Sequence, residues 1–114
     1  MQFELWIDGR PRTKARPRMT RRGRVFTPEA TSLEEDRIAI ALNNARVPRF
    51  EGPVSVVVDY YTTGQFIQIR DWAQPKSRLT GDVDNYSKLT LDAIQKSNAL
   101  ADDKAVAELW VAKW

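Results

Sequence analysis

Carboxylates crowd one stretch of an otherwise basic chain. Asp82 and Asp84 stand two residues apart in Gly81-Asp82-Val83-Asp84-Asn85-Tyr86-Ser87-Lys88, Asp92 follows one helical turn after Lys88, and Asp102-Asp103 closes the segment. Aspartates at this density offer hard oxygen donors, the ligand type that suits Mg²⁺ or Mn²⁺. An ion held in that way polarises a phosphodiester and activates water without any imidazole.

Composition narrows the alternatives. The chain has 114 residues, a net charge of +3, and neither cysteine nor histidine. Disulfides, thiol nucleophiles, cysteine-ligated zinc, the Ser-His-Asp triad and most zinc or iron sites are thereby excluded. Any catalysis must use carboxylates, lysine, tyrosine, hydroxyls and an oxygen-bound cation. Apolar residues make up 42% and charged residues 29%, as expected of an ordinary globular domain. No apolar run approaches the ~20 residues of a membrane span, and Met1–Trp6 carries an acid early, without a signal-peptide core. The expectation is one domain over residues 1–114, soluble and intracellular, with no membrane partner.

The elements that must position the acids can be read in order. Phe3, Leu5 and Ile7 alternate with Glu4 and Trp6, predicting a half-buried strand over Gln2 to Asp8. Residues 10 to 24 carry Arg10, Arg12, Lys14, Arg16, Arg18, Arg21, Arg22 and Arg24 and no acid. Pro11, Pro17 and Gly23 argue against a helix there. The stretch reads as an extended basic loop, either a solvated charge run or an arm whose cations meet phosphates and release counterions. Val25-Phe26 predicts a short extended piece. Thr27-Pro28-Glu29 predicts a helix start, with threonine as the cap, and a helix to about Asn44. Its apolar stripe is expected to run through Leu33, Ile40 and Ala41, widened by Ile38 and Leu42, with Glu34, Glu35 and Asp36 on the wet side. Pro53 to Thr62 is β-branched and aromatic, with Val56 to Val58 apolar on both faces, and predicts a central strand. Gln65 to Gly81 is ambiguous, with a short strand around Phe66, Ile67 and Ile69 followed by a loop. A second helix is expected from about Asp84 to Ser97, then a return segment and a final strand from Ala105 to Trp114. The order predicts an α+β (mixed α/β) fold, a small mixed sheet flanked by two main helices.

Asp82 and Asp84 then straddle the second helix start, where free N–H groups and the helix dipole tolerate carboxylates. Capping accounts for one such acid, and Asp84, Lys88 and Asp92 at i, i+4 and i+8 match an ordinary salt-bridged face. Asp102-Asp103 tips the balance. A helix of ~14 residues spans about 20 Å, and an extended return segment from Asn98 to Asp103 covers about the same. The chain can therefore bring Asp103 back beside Asp82 and Asp84, and three gathered carboxylates repel unless a cation sits among them. An EF-hand is excluded: counting from Asp82, the sixth position is Ser87, not glycine, and the twelfth is Ala93, not glutamate.

Asp82-Val83-Asp84-Asn85, Lys88, Asp92-Ala93 and Asp102-Asp103 together resemble the RusA family of Holliday junction resolvases. Lys14-Ala15-Arg16-Pro17-Arg18 and Thr27-Pro28 are similar to its phage-type branch. The resemblance implies a homodimeric, mixed α/β endonuclease of bacterial or phage-infected cytoplasm that cuts four-way DNA junctions with Mg²⁺ in recombination and repair, Mn²⁺ being an alternative ion. It implies Asp82, Asp84 and Asp103 as metal-binding catalytic residues and Lys88 as an essential lysine that contacts the phosphate or steadies the carboxylates. Asn85, Asp92 and Asp102 are expected to support them. Lys14, Arg16 and Arg18, extended by Arg21, Arg22 and Arg24, are expected to grip the DNA backbone. Family members continue into a further strand where this chain stops at Trp114, so a sheet lacking its final C-terminal strand is expected. The competing readings are a non-catalytic nucleic-acid-binding module, in which the aspartates only cap and pair, and a metal nuclease for other branched DNA.

Overall fold

A computed structural model describes residues 1–14, 18–26 and 28–114, excepting the side chains of Arg18, Met19, Phe26 and Asp103. The chain forms two compact units, Met1–Trp72 and Ala73–Trp114. The first carries β1 (Gln2–Asp8), β2 (Arg18–Met19), β3 (Val25–Phe26), α1 (Glu29–Asn44), β4 (Val54–Tyr61) and β5 (Gly64–Asp71). The second carries α2 (Val83–Lys96) and a 3₁₀ turn over Asp103–Ala105. The three-stranded antiparallel sheet and the two helices make a small α+β fold. Among the described residues no helix is long and apolar enough to cross a membrane.

The sheet has the order β1-β5-β4. Its register sets Leu5 opposite Ile67 and Ile67 opposite Val58, so Phe3, Leu5, Ile7, Ile67 and Ile69 share one face. Ile7 and Ile67 are its buried centre, each worth about 1.5–3 kcal/mol in transfer terms. The strand expected to be central, β4, is an edge. The ambiguous segment from Gly64 takes the middle instead: β5 pairs with β4 across a two-residue turn at Thr62-Thr63 and with the distant β1 on its other side. Val56 and Tyr60 on the Ile67 face and Val57 on the other are all exposed, so the apolar run of β4 does not mark burial on both faces. Gly64 must be glycine: a Cβ there would strike the Trp6 indole and the Ile7 carbonyl oxygen.

Helix α1 begins at Glu29, with the N–H groups of Thr31 and Ser32 donating to the Pro28 carbonyl at 3.1 Å each. The expected Thr27 cap lies outside the described residues. The inward face is turned from the expected one. Thr31 is buried, Ile38, Ala41 and Leu42 are half-buried, and Leu33 and Ile40 are exposed. Glu34 does not belong to the wet side. Arg37 donates to its carboxylate from Nη2 at 2.7 Å and Nε at 3.0 Å, and from Nη1 to the Asp8 carbonyl at 2.7 Å. This fork fastens α1 to the end of β1, where Gly9 turns the chain at φ 112° into the basic segment.

The hydrogen bonds from Arg37 hold the Glu34 carboxyl below the usual carboxylate range, against the opposing effect of burial, and the charges of Arg37 and Arg12 add to the lowering. The folded value is depressed, so this stabilisation is complete above the ordinary carboxylate pKa of about 4.3. It is lost as pH falls through the lower folded value. Denaturation midpoints at pH 7 and pH 3 should therefore differ more for the native chain than for Glu34→Gln; equal differences would deny the pair this role.

Two further expectations change. The basic stretch is not wholly irregular, because β2 and β3 pair as a short hairpin. The final strand does not form: residues 106–114 carry no regular structure. Val106 to Val111 alternate as a strand would, but among the described residues the second unit holds no strand for them to pair with, and alternation without a partner does not make a sheet.

Candidate active site at the start of the second helix

Asp82 occupies the N-cap of α2 with extended dihedrals, φ −71° and ψ 143°. Its carbonyl accepts from the N–H groups of Asn85 at 3.1 Å and Tyr86 at 3.2 Å. Its carboxylate makes no capping hydrogen bond. Capping by its side chain, the bland explanation for an aspartate here, is therefore not what Asp82 does. Asp84 lies in the first turn, where the helix dipole favours an anion. Its carbonyl accepts from the Ser87 hydroxyl at 2.8 Å, while its carboxylate stays out of that bond. Two exposed carboxylates thus flank one helix start with no ion-pair partner among the described residues.

Helix α2 ends in a left-handed residue, Asn98 at φ 65°, whose N–H donates to the Gln95 carbonyl at 3.0 Å. The chain then returns to the 3₁₀ turn, which packs on α2. Asp103 opens this turn. Its side chain is not described, and among the described residues no three acids are gathered as a metal cluster. Asp102 shapes the turn. Its Oδ1 accepts from the Lys104 N–H at 2.9 Å, and its carbonyl accepts from the Ala105 N–H at 3.1 Å. These bonds build the backbone on which Asp103 is presented.

Asn85, Lys88 and Asp92 share one face of α2 and line an open depression of about 450 Å³ with Leu89, Ala93 and Lys96. Among the described residues no ion pair joins Lys88 to Asp84 or Asp92, so helical spacing does not produce the salt-bridged face that it permits. Lys96 is not singled out by sequence reasoning, although it continues the four-residue spacing of Lys88 and Asp92. Two other residues escape it as well. The Tyr86 hydroxyl accepts from the Gly81 N–H at 3.1 Å, and Lys113 Nζ donates to the carbonyls of Gly81 at 2.9 Å and Leu79 at 3.3 Å.

The basic hairpin belongs to the first unit. Its turn is closed by Gly23 N–H to the Thr20 carbonyl at 2.9 Å and Thr20 N–H to the Arg24 carbonyl at 2.7 Å, with Gly23 at φ 81°. Arg21, Arg22 and Arg24 are exposed on it, without an acidic partner among the described residues. Lys14 instead pairs with Glu35 at 3.3 Å. Arg16 lies outside the described residues, and Arg18 enters β2 with its side chain undescribed.

Residues 8–114 match the family model Endodeoxyribonuclease RusA, which sets the chain among the DNA endonucleases. It belongs to the RusA family, whose members resolve Holliday junctions and are generally dependent on a divalent metal. Searches of curated proteins and of solved structures gave no significant match.

Proposed function

We propose that this chain is a Mg²⁺-dependent, structure-selective endonuclease that resolves four-way DNA junctions by paired phosphodiester hydrolysis, serving recombination and repair, with Mn²⁺ as a substitute ion. The observation that carries the reading is the pair of exposed carboxylates, Asp82 and Asp84, at the start of α2, without an ion-pair partner among the described residues. Asp103, presented by the turn that packs on the same helix, is the third ligand. When bound, a divalent ion supplies polarisation of the scissile phosphate and a more acidic water. The chain's own residues do the rest. Asp82 and Asp84 would hold the ion, their own negative charges being favoured at the positive end of the helix dipole. Lys88, one turn on and without a carboxylate partner among the described residues, meets the phosphate as a point charge. Asn85 and Asp92 flank it along the depression.

Arg21, Arg22 and Arg24, together with Lys14, Arg16 and Arg18, hold the DNA backbone without reading sequence. A homodimer suits a substrate with approximate twofold symmetry, since two sites make paired nicks. It would also cover the exposed Val54, Val56 and Tyr60 of edge strand β4. The test is cleavage of a synthetic four-way junction beside a linear duplex of the same arm sequence, with Mg²⁺ and with chelator. Symmetrical nicks in the junction alone, abolished by chelator, are expected. Equal cutting of both substrates would remove junction selectivity, and cutting in chelator would remove the metal.

A further inference from the structure

We infer that Lys113, acting with Tyr86, is a positioning residue for the metal site: the two side chains clamp the Gly81 peptide and so aim the Asp82 carboxylate. This rests on the proposed metal reading. The Asp82 side chain makes no capping bond, so what the fold fixes is the placement of its Cα–Cβ bond, through the backbone that leads into it. That backbone is gripped from two sides. The Gly81 N–H donates to the Tyr86 hydroxyl at 3.1 Å. The Gly81 carbonyl, which belongs to the same peptide plane as the Asp82 nitrogen, accepts from Lys113 Nζ at 2.9 Å. A third bond, from Lys113 Nζ to the Leu79 carbonyl at 3.3 Å, extends the grip two residues upstream.

The clamp has the properties of a built feature. Lys113 is half-buried within a C-terminal segment that has no regular structure, and its ammonium spans 32 residues of sequence to reach Gly81. Charge-assisted bonds to carbonyls are stronger than neutral ones. Gly81 leaves no slack, because a Cβ there would stand 2.9 Å from Tyr86 Cζ and 3.0 Å from its hydroxyl oxygen. The tyrosine ring thus lies flush against the residue before Asp82. Groups that orient metal ligands are worth about 10–100-fold in metal affinity, and the clamp stands in that relation to Asp82.

The test compares the native chain with Lys113→Met, Lys113→Arg and Tyr86→Phe, reading Mn²⁺ affinity by calorimetry, junction affinity in chelator, and thermal midpoint. Lys113→Met should weaken Mn²⁺ binding by about tenfold or more while junction affinity in chelator is kept. Lys113→Arg, which still offers donors to two carbonyls, should recover most of the loss. Tyr86→Phe keeps the ring and removes the acceptor, and should weaken Mn²⁺ binding in the same direction. Unchanged Mn²⁺ affinity in a folded Lys113→Met protein overturns the inference. Should that variant fail to fold, Tyr86→Phe decides in its place, and unchanged affinity there overturns the clamp equally. If the native chain itself binds no Mn²⁺, the metal reading falls and takes the clamp with it; if native and variants bind alike, the clamp falls alone.

Discussion

Asp82→Asn should lower junction cleavage by about a hundred- to a thousandfold, the scale seen when a charge-stabilising group is removed from a catalytic centre, while junction affinity and thermal midpoint stay near native. Asparagine is nearly the same shape and is an equally good N-cap residue. Because the Asp82 carboxylate makes no capping bond, the helix start loses no hydrogen bond by the change. The Asn85 and Tyr86 bonds to the Asp82 carbonyl are untouched as well. What the substitution removes is a formal charge and a hard ligand. A carboxylate charge at a helix N-terminus is worth about 0.3–1 kcal/mol through the dipole, small beside the loss of a metal ligand, so activity and folding separate. Asp84→Asn should behave likewise, since the Asp84 bond to Ser87 uses the backbone carbonyl. Native cleavage by Asp82→Asn, measured at saturating junction and Mg²⁺, would reduce the acid to a helix-terminus charge.

The second large effect concerns binding. Replacing Arg21, Arg22 and Arg24 together by alanine should weaken junction binding in chelator and flatten its dependence on log salt by about 2 to 3 units, close to 0.9 for each phosphate that is no longer neutralised. The hairpin should survive, because the bonds that close its turn are backbone bonds from Thr20 and Gly23, and Gly23 keeps its positive φ. Cleavage at saturating junction should change far less than affinity. Lys14→Ala should do less than any one of the three arginines, since Lys14 already faces Glu35. Anisotropy titrations over a range of salt concentrations decide this. An unaltered slope for the triple variant would mean that the hairpin tip does not meet phosphate.

Where the sequence is legible, local chemistry and tertiary structure point the same way. Alternation over Gln2–Asp8 locates β1 and its inward residues Phe3, Leu5 and Ile7. Caps and spacing locate both helices to within a residue or two. The failures share a cause, dependence on a partner distant in sequence. β4 reads as central because Val56 to Val58 are apolar on both faces, yet an edge strand can carry such a run, and β5 takes the middle. The segment after Ala105 alternates but, among the described residues, has no strand in its unit to join. Glu34 reads as one acid of a wet face, and only the fold shows Arg37 forking onto it and onto the Asp8 carbonyl. The hairpin strands are two residues each, too short for any periodic signal.

The candidate site divides in the same way. Asp82, Asp84 and Lys88 stand out in the sequence because their residue types suit the proposed chemistry. The Lys113 and Tyr86 clamp is invisible because its bonds go to backbone atoms of Gly81 and Leu79, which leave no mark on residue type. A lysine next to a terminal tryptophan gives no warning that it steadies a carboxylate site.

Calorimetric titration of Mn²⁺ into the native chain and into Asp82→Asn/Asp84→Asn tests the central claim most directly, because it needs neither DNA nor turnover. The native chain should bind the ion saturably, and the double variant, folded to the same thermal midpoint, should lose that binding. Superimposable isotherms for the two proteins would contradict the assignment of these carboxylates as the metal site.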